Sequence, residues 1–188
     1  MRKQNNRIIA AEPASVEDII AGLAVIDNKG DLIDVRRRAL EAVAPLSLPW
    51  VRQTILEACQ SGNPKLKISA IYAVGKNCDI AWLQILLDEL ASDSVELRYE
   101  AAVACGEMGE EEAVSHLVEL TEDADAEVQL VVVQALGKIG GNEAKECLEL
   151  CLSHRSEAVR QVAEQALYEL ETMTEPDSAQ WIKFRSQE

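Results

Sequence analysis

Aromatic residues are scarce in this sequence, since Phe, Trp and Tyr make up 4% of its 188 residues. The hydrophobic content is nevertheless 48%, and a core of Ala, Leu, Val and Ile suits helices that pack closely together. Positive charge is also in short supply, because 18 Lys and Arg stand against 33 Asp and Glu, a formal net charge of −15. This balance argues against a nucleic-acid partner, whose binding depends mainly on Lys and Arg that neutralise phosphates.

Long apolar runs and a disulfide pattern are missing as well. The apolar run at residues 8–11 is too short for a signal peptide. No later run approaches the roughly 18 apolar residues that a membrane span requires. The five cysteines are an odd number scattered along the chain, which favours free, buried thiols in a reducing compartment. The sequence therefore predicts a soluble, cytoplasmic protein.

A repeat of 31 residues runs through most of the sequence. The segments 96–109 and 127–140 align at this offset, and both end in Gly-x-x-Gly. An alanine recurs at the same spacing through five passes, at Ala42, Ala73, Ala104, Ala135 and Ala166. A fixed period in this range is typical of a solenoid of stacked structural repeats.

Each repeat has the apolar pattern of two amphipathic helices. In the third repeat, apolar residues stand at i, i+4, i+7, i+8 and i+11 from Leu97. The pattern predicts first helices near 16–26, 49–60, 79–91, 111–121 and 142–152, and second helices near 33–44, 64–76, 94–108, 125–139 and 156–172. We expect a flexible N-terminal segment at 1–14, five helix pairs over 15–174, and a short capping helix and tail at 175–188.

The sequence Ala-Leu-Gly-Lys-Ile-Gly at 135–140, preceded by Val128 and Gln129, resembles the HEAT-like repeats first described in phycobilisome lyases. The resemblance covers roughly residues 16–172. It implies an all-α fold, a right-handed α-α superhelix of five helix pairs with a short C-terminal capping helix. For function it is weak, because the same repeat serves scaffolds, adaptors, bilin lyases and some DNA glycosylases.

The resemblance also implies a ladder of polar contacts between repeats. In this family an acidic residue and the Arg of the second helix tie neighbouring repeats together. Asp93 with Arg98 is the best match to that pattern. Gln129 replaces the basic residue one repeat later, so we expect the ladder to be interrupted there.

The second helices carry apolar residues on the side opposite their main apolar stripe. In this family the second helices line the concave side of the superhelix, so the resemblance implies an apolar strip along a groove. Contiguous exposed apolar surface marks an interaction site, and solenoids bind along their concave faces. The predicted partner-binding residues are Ile68, Ile71, Tyr72, Tyr99, Val103, Leu130, Val133 and Gln134.

A competing interpretation assigns the same residues to the core between adjacent helices. A glycine in each middle repeat, at Gly75, Gly106 and Gly137, has the same two interpretations. It would either leave room for a partner or allow the helices to approach one another.

Motifs for catalysis are not found in the sequence. No Ser or Cys has a His and an acid at triad spacing, and no glycine-rich phosphate loop follows a strand. Cys147, Cys151 and His154 share the i, i+4, i+7 spacing of one helix face and would suit zinc. Because Cys151 falls at a core position of the repeat, buried thiols are the preferred interpretation. We predict no metal and no cofactor.

The sequence favours a non-catalytic scaffold or adaptor that binds a protein or peptide, without nucleic acid or membrane. An acidic molecule suits a partner with basic flanks. The chain is expected to be a monomer or a weak homo-oligomer. The resemblance offers two alternatives. One is a bilin lyase or bilin-handling chaperone with a pocket at Tyr72, Tyr99 and Glu100. The other is a HEAT-like DNA glycosylase, which would need a basic groove.

Overall fold

The computed structural model describes residues 32–174, and this part of the chain is built from helices and turns with no β-strand. Its α-helices are α1 (Leu32–Val43), α2 (Pro49–Cys59), α3 (Pro64–Asn77), α4 (Leu83–Leu90), α5 (Val95–Met108), α6 (Val114–Glu119), α7 (Ala126–Ile139), α8 (Gly141–Cys151) and α9 (Glu157–Thr174). Short 3-10 turns precede α4 and flank α6. The all-helical prediction is confirmed. The helix predicted near 16–26 and the capping helix predicted within 175–188 lie outside the described residues.

The helices form hairpins in the predicted order. Helices α2 and α3 are the two helices of one repeat, followed by α4 with α5, α6 with α7, and α8 with α9, while α1 is the second helix of the first repeat. The second helices α1, α3, α5, α7 and α9 pack side by side in chain order. No helix in the range 32–174 is both long and apolar enough to cross a membrane.

Polar caps fix where the second helices begin. Asn63, Ser94 and Asp125 occupy the same repeat position, and each side chain accepts a hydrogen bond from the backbone N–H three residues further on. These bonds measure 3.2, 3.3 and 3.2 Å. Each satisfies one of the N–H groups that a helix start leaves unpaired. The caps therefore hold the second helices in one common register.

The first helices supply one large buried side chain at the same position of each repeat. Ile55, Leu86, Leu117 and Leu148 stand at the predicted spacing of 31 residues, and all four are fully buried. Burial of such a side chain stabilises the fold by about 1.5–3 kcal/mol. The second helices bury small residues at a repeated position, Ala73, Ala104 and Ala135, beside larger ones such as Leu136.

Glycines in the second helices are points of close contact with the next repeat. An ideal Cβ built on Gly75 would lie 2.8 Å from Ala104 Cβ, and one built on Gly106 would lie 2.9 Å from Ala135 Cα. Both distances are shorter than an ordinary carbon–carbon contact of about 3.5–4.0 Å. The glycine column therefore serves helix packing, which is the second of the two interpretations drawn from the sequence.

A buried ion pair joins the third and fourth repeats. Arg98 donates from Nε and Nη2 to the two carboxylate oxygens of Asp123, at 2.8 and 2.9 Å. The side chains are 14% and 5% exposed. The hydrogen bond from Arg98 lowers the pKa of Asp123. Asp93, the predicted acid, offers Arg98 its backbone carbonyl at 3.3 Å. The carboxylate partner comes from the following repeat, and the predicted pairing is corrected accordingly.

The same positions one repeat later hold Gln129 and His154, and the ion pair is not repeated. Gln129 Nε2 donates to the backbone carbonyl of Asp123 at 2.6 Å. His154 Nδ1 accepts from the Ser156 N–H at 3.1 Å. Its Nε2 lies 3.2 Å from Glu122 Oε1, outside the alignment of a hydrogen bond, and is buried with no hydrogen-bond partner among the described residues. The ladder is interrupted at Gln129, as predicted from the replacement of a basic residue by glutamine at this position.

Candidate partner-binding face

The outward sides of the second helices form one continuous face across the stack. On α3 this face carries Lys65, Ile68, Tyr72 and Lys76, whose spacing of i, i+3, i+7 and i+11 places them on one side of a helix. The equivalent positions of α1, α5, α7 and α9 follow at steps of 31 residues. We call this surface the second-helix face.

An apolar strip occupies the middle of the second-helix face. Tyr72 and Tyr99 are 38% and 36% exposed. The other apolar members are half-buried, and Gln134 beside them is exposed. The apolar strip is defined here as Ile68, Tyr72, Tyr99, Val103 and Leu130. Six of the eight residues predicted to bind a partner thus reach the surface on one face.

The other two predicted residues lie in the core. Ile71 and Val133 have no exposed surface. Each stands one position before a residue of the face, about 100° away around the helix, and faces the neighbouring helices. Ala102 takes the equivalent position of α5 and is buried as well. Ile71 and Val133 therefore contribute to inter-repeat packing, and their assignment to a partner-binding surface is corrected.

The first-repeat end of the face is polar and tightly organised. Arg37 Nε–H donates to Ser69 Oγ at 2.8 Å, and the Ser69 hydroxyl donates to Glu41 Oε1 at 2.7 Å. Ser69 is buried, whereas Arg37 and Glu41 are half-buried. The two charged side chains are thereby anchored to α3 and form a fixed polar boundary to the apolar strip.

A row of alternating charge follows the C-terminal ends of the second helices. Its members are Lys76, Glu107, Lys138 and Glu169, spaced by 31 residues. Lys76 Nζ donates to both carboxylate oxygens of Glu107, at 2.7 and 2.9 Å, and this hydrogen bonding raises the pKa of Lys76. The row and the glycine column line an open depression of about 540 Å³. The 31-residue spacing of this row is visible in the sequence, but our sequence interpretation missed it.

Glu100 lies half-buried beside the apolar strip, at the repeat position of buried Ser69 and Val131. Burial raises the pKa of its carboxyl group, and the charges of Glu41 and Glu107 add to this effect, while Lys76 opposes it. No hydrogen bond or ion pair to Glu100 is found within residues 32–174. The carboxyl group of Glu100 therefore has no direct polar partner among the described residues of this face.

Aromatic–cation contact also organises the strip. The Lys76 ammonium lies 5.4 Å from the centroid of the Tyr72 ring. Such contact is attractive because the face of an aromatic ring carries partial negative charge. Together with its bonds to Glu107, this contact fixes Lys76 at the edge of the strip and holds the ring of Tyr72 at the surface.

The cysteine–histidine group predicted as a possible metal site is not assembled as one. Cys147 and Cys151 are buried on α8, and the structure brings together no group of three metal-ligating side chains in the part of the chain it describes. The hydrogen bond to Cys151, together with burial, raises the pKa of Cys147. Burial likewise raises the pKa of Cys105 to about 12, so that thiol is neutral at physiological pH.

Residues 81–168 match the HEAT repeats family. This segment of the chain contains HEAT repeats. Among solved structures, this HEAT-repeat chain is similar to a chain of the CpcE–CpcF complex of phycocyanin lyase from Nostoc sp. PCC7120. The two are 18% identical with a TM-score of 0.65, over 92% of this chain and 71% of that one. The predicted resemblance to HEAT-like repeats of the lyase type is confirmed.

Two further structures share the HEAT-repeat fold. A designed armadillo repeat protein in complex with the peptide (KR)4 is 21% identical, with a TM-score of 0.59 over 82% of each chain. A chain of the Pds5–Scc1 complex is 14% identical, with a TM-score of 0.60 over 90% of this chain and 31% of that one. A search of curated proteins finds no sequence match. These likenesses establish an α solenoid of HEAT and armadillo type.

Proposed function

We propose that the chain is a non-catalytic scaffold that binds a segment of another protein along its second-helix face. The observation that carries this proposal is the exposure of Tyr72 and Tyr99 in the middle of a face whose first-repeat end is polar. Large apolar groups that adjoin one another at the surface of a repeat protein mark a site that a partner covers, whereas single exposed ones do not. Ile71, which precedes Tyr72 on the same helix, has no exposed surface, so the fold buries large apolar residues where packing requires it.

The free energy available from the apolar strip sets the kind of binding to expect. A tyrosine side chain buries about 200 Å² when fully covered, so the 38% of Tyr72 that is exposed corresponds to roughly 75 Å². At about 25 cal/mol per Å², covering it contributes about 2 kcal/mol, and Tyr99 contributes a similar amount. Association entropy opposes binding by about 4–15 kcal/mol. The strip alone therefore supports a weak complex, and a specific partner needs polar contacts as well.

The similar solved structures support a binding role. The designed armadillo protein holds a peptide, and the Pds5 and CpcE–CpcF structures are complexes of two proteins. By analogy, we infer that the second-helix face of this chain is also a surface for a protein segment.

A random peptide library displayed on phage tests the proposal, with the immobilised chain as bait. The wild-type chain is expected to retain peptides that the Tyr72→Glu/Tyr99→Glu variant does not retain. Tyr168→Glu is a matched control, because Tyr168 is 64% exposed on α9 but lies outside the apolar strip. It should retain the same peptides as wild type. Equal retention by all three chains would refute the proposal, provided far-UV circular dichroism shows each variant to be helical.

A second candidate is bilin handling, which the similarity to a phycocyanin lyase complex favours. Tyr72, Tyr99 and Glu100 would supply the aromatic and acidic groups of such a site. Adding free bilin and recording the absorption spectrum separates the two functions. A shifted band that Tyr72→Glu/Tyr99→Glu abolishes would favour bilin handling, whereas the scaffold proposal expects an unchanged spectrum.

A further inference from the structure

One charged side chain beside the apolar strip, Glu100, has no ionic partner among the described residues. Glu100 is half-buried on α5, at a repeat position where α3 has Ser69 and α7 has Val131, both buried. Glu100 directly follows Tyr99 and stands three residues before Val103, so it adjoins the apolar strip on α5. A residue at this place is in reach of any segment that lies across the apolar strip.

The charged neighbours of Glu100 are already engaged with other groups. Glu41 accepts the hydroxyl of Ser69 at 2.7 Å. Glu107 accepts both hydrogen bonds from Lys76, at 2.7 and 2.9 Å. Within residues 32–174, Glu100 has no hydrogen bond or ion pair of its own. Glu41 also pairs with Arg37 at 3.9 Å, so both neighbouring carboxylates have a cationic partner, whereas Glu100 has none among the described residues.

A bound segment must satisfy Glu100, because covering the strip also removes water from this carboxylate. An apolar side chain placed over it would leave a buried charge without a partner, which is strongly unfavourable. An acidic side chain would be repelled by the carboxylate of Glu100. A Lys or Arg side chain would form a charge-assisted hydrogen bond, and the neighbouring tyrosine rings would attract its positive charge.

We propose that the segment bound on the second-helix face places a Lys or Arg side chain at Glu100, with apolar side chains on the strip at either side. This inference rests on the proposed function, since it names the chemistry of the same partner. The sequence predicted only a partner whose basic flanks complement the net charge. The present inference is more specific, because it places the cation at the centre of the strip, where one residue recognises it.

Selection from the same phage library, with three baits, tests this inference. Peptides retained by the wild-type chain are expected to combine apolar residues with Lys or Arg. Peptides retained by Glu100→Lys should keep the apolar residues and carry Asp or Glu instead. The control is Glu127→Lys, because Glu127 is exposed at the N-terminal edge of the same face. That bait should still retain Lys- or Arg-containing peptides, although it makes the same change in net charge.

Affinity measurements with a selected peptide show how much the contact with Glu100 contributes to binding. Charge-assisted hydrogen bonds contribute about 1.5–3 kcal/mol, so Glu100→Gln should raise the Kd about tenfold to a hundredfold. Changing the basic residue of the peptide to Met should weaken binding to wild type by a similar factor and hardly affect binding to Glu100→Gln. Because Gln removes a repelled, half-buried charge, the variant itself should be at least as thermally stable as wild type, which excludes misfolding as the cause.

The outcomes separate this inference from the proposed function. If peptides need Tyr72 and Tyr99 but show no enrichment of Lys or Arg, or bind Glu100→Gln as tightly as wild type, the inference is wrong and the scaffold function stands. If wild type retains no peptide, or retention is independent of the two tyrosines, the proposed function fails and the inference fails with it.

Discussion

The contact between Gly137 of α7 and Ala166 of α9 gives the sharpest test of how the repeats stack. A Cβ added to Gly137 would lie 2.6 Å from Ala166 Cβ and 3.4 Å from Ala166 Cα. The first distance is about 1 Å shorter than an ordinary carbon–carbon contact, whereas the second is close to one. Gly137→Ala therefore creates a clash with a methyl group and leaves the backbone contact tolerable.

The expected change in stability is the difference of two effects. Replacing Gly by Ala inside a helix favours the helix by about 1 kcal/mol. Forcing an extra methyl group into a packed interface costs about 1–3 kcal/mol. Because the added Cβ would lie so close to Ala166 Cβ, we expect a cost at the upper end of this range. Gly137→Ala should thus lower the free energy of unfolding by about 1–2 kcal/mol. Adding Ala166→Gly removes the clash, so the double variant should show a favourable coupling of about 2–3 kcal/mol between the two positions.

A second glycine provides the contrasting case. A Cβ on Gly106 would lie 2.9 Å from Ala135 Cα and 3.0 Å from Ala135 Cβ. Because the backbone atom itself is in the way, Ala135→Gly cannot relieve Gly106→Ala. Urea unfolding followed by far-UV circular dichroism measures both cycles. Stabilisation by Gly137→Ala alone, or equal coupling in the two cycles, would contradict the close packing described for this glycine column.

Two further predictions concern the contacts between repeats. Asp123→Asn should lower the free energy of unfolding at neutral pH by about 2–3 kcal/mol, since a charge-assisted, buried pair with Arg98 is lost. Because the pKa of Asp123 is lowered in the fold, its stabilisation is present above its unfolded pKa and is lost as the pH falls through the folded value. The gap between wild type and Asp123→Asn in urea unfolding should therefore close below about pH 4, and a gap independent of pH would refute this reasoning. Gln129→Arg combined with His154→Asp should recreate that pair one repeat later, with a favourable coupling of about 1–3 kcal/mol in a double-mutant cycle. Additive effects of the two changes would show that the positions do not meet.

The repeat made the fold predictable from the sequence. Five passes at one spacing define the same helix independently, so an error at one position is corrected by the others. The caps at Asn63 and Asp125 belong to the same pattern, and both are observed. A solenoid repeat contacts mainly its neighbours, so local pattern and global fold agree.

The faces of the second helices were less predictable, for a geometric reason. A helical period assigns residues to directions around the axis, but the neighbouring helices decide which directions are buried. Ile71 and Tyr72 differ by about 100°, and that step separates full burial from exposure. Likewise Arg98 has two acidic candidates in the sequence. The choice of Asp123 over Asp93 depends on the distance between repeats, which the spacing of residues does not contain.

The charge distribution on the second-helix face argues for recognition at one point rather than general electrostatic capture. At physiological salt, charges separated by more than about 8 Å are largely screened, so the net charge of −15 gives little specificity. Lys76 and Glu107 neutralise each other, and Glu41 is held by Ser69. These contacts also fix the side chains around the strip before a partner arrives, which lowers the entropy lost on binding. Glu100 has no ionic partner within the described residues. A positive charge of a bound partner therefore interacts more favourably with its carboxylate than with any other group of this face.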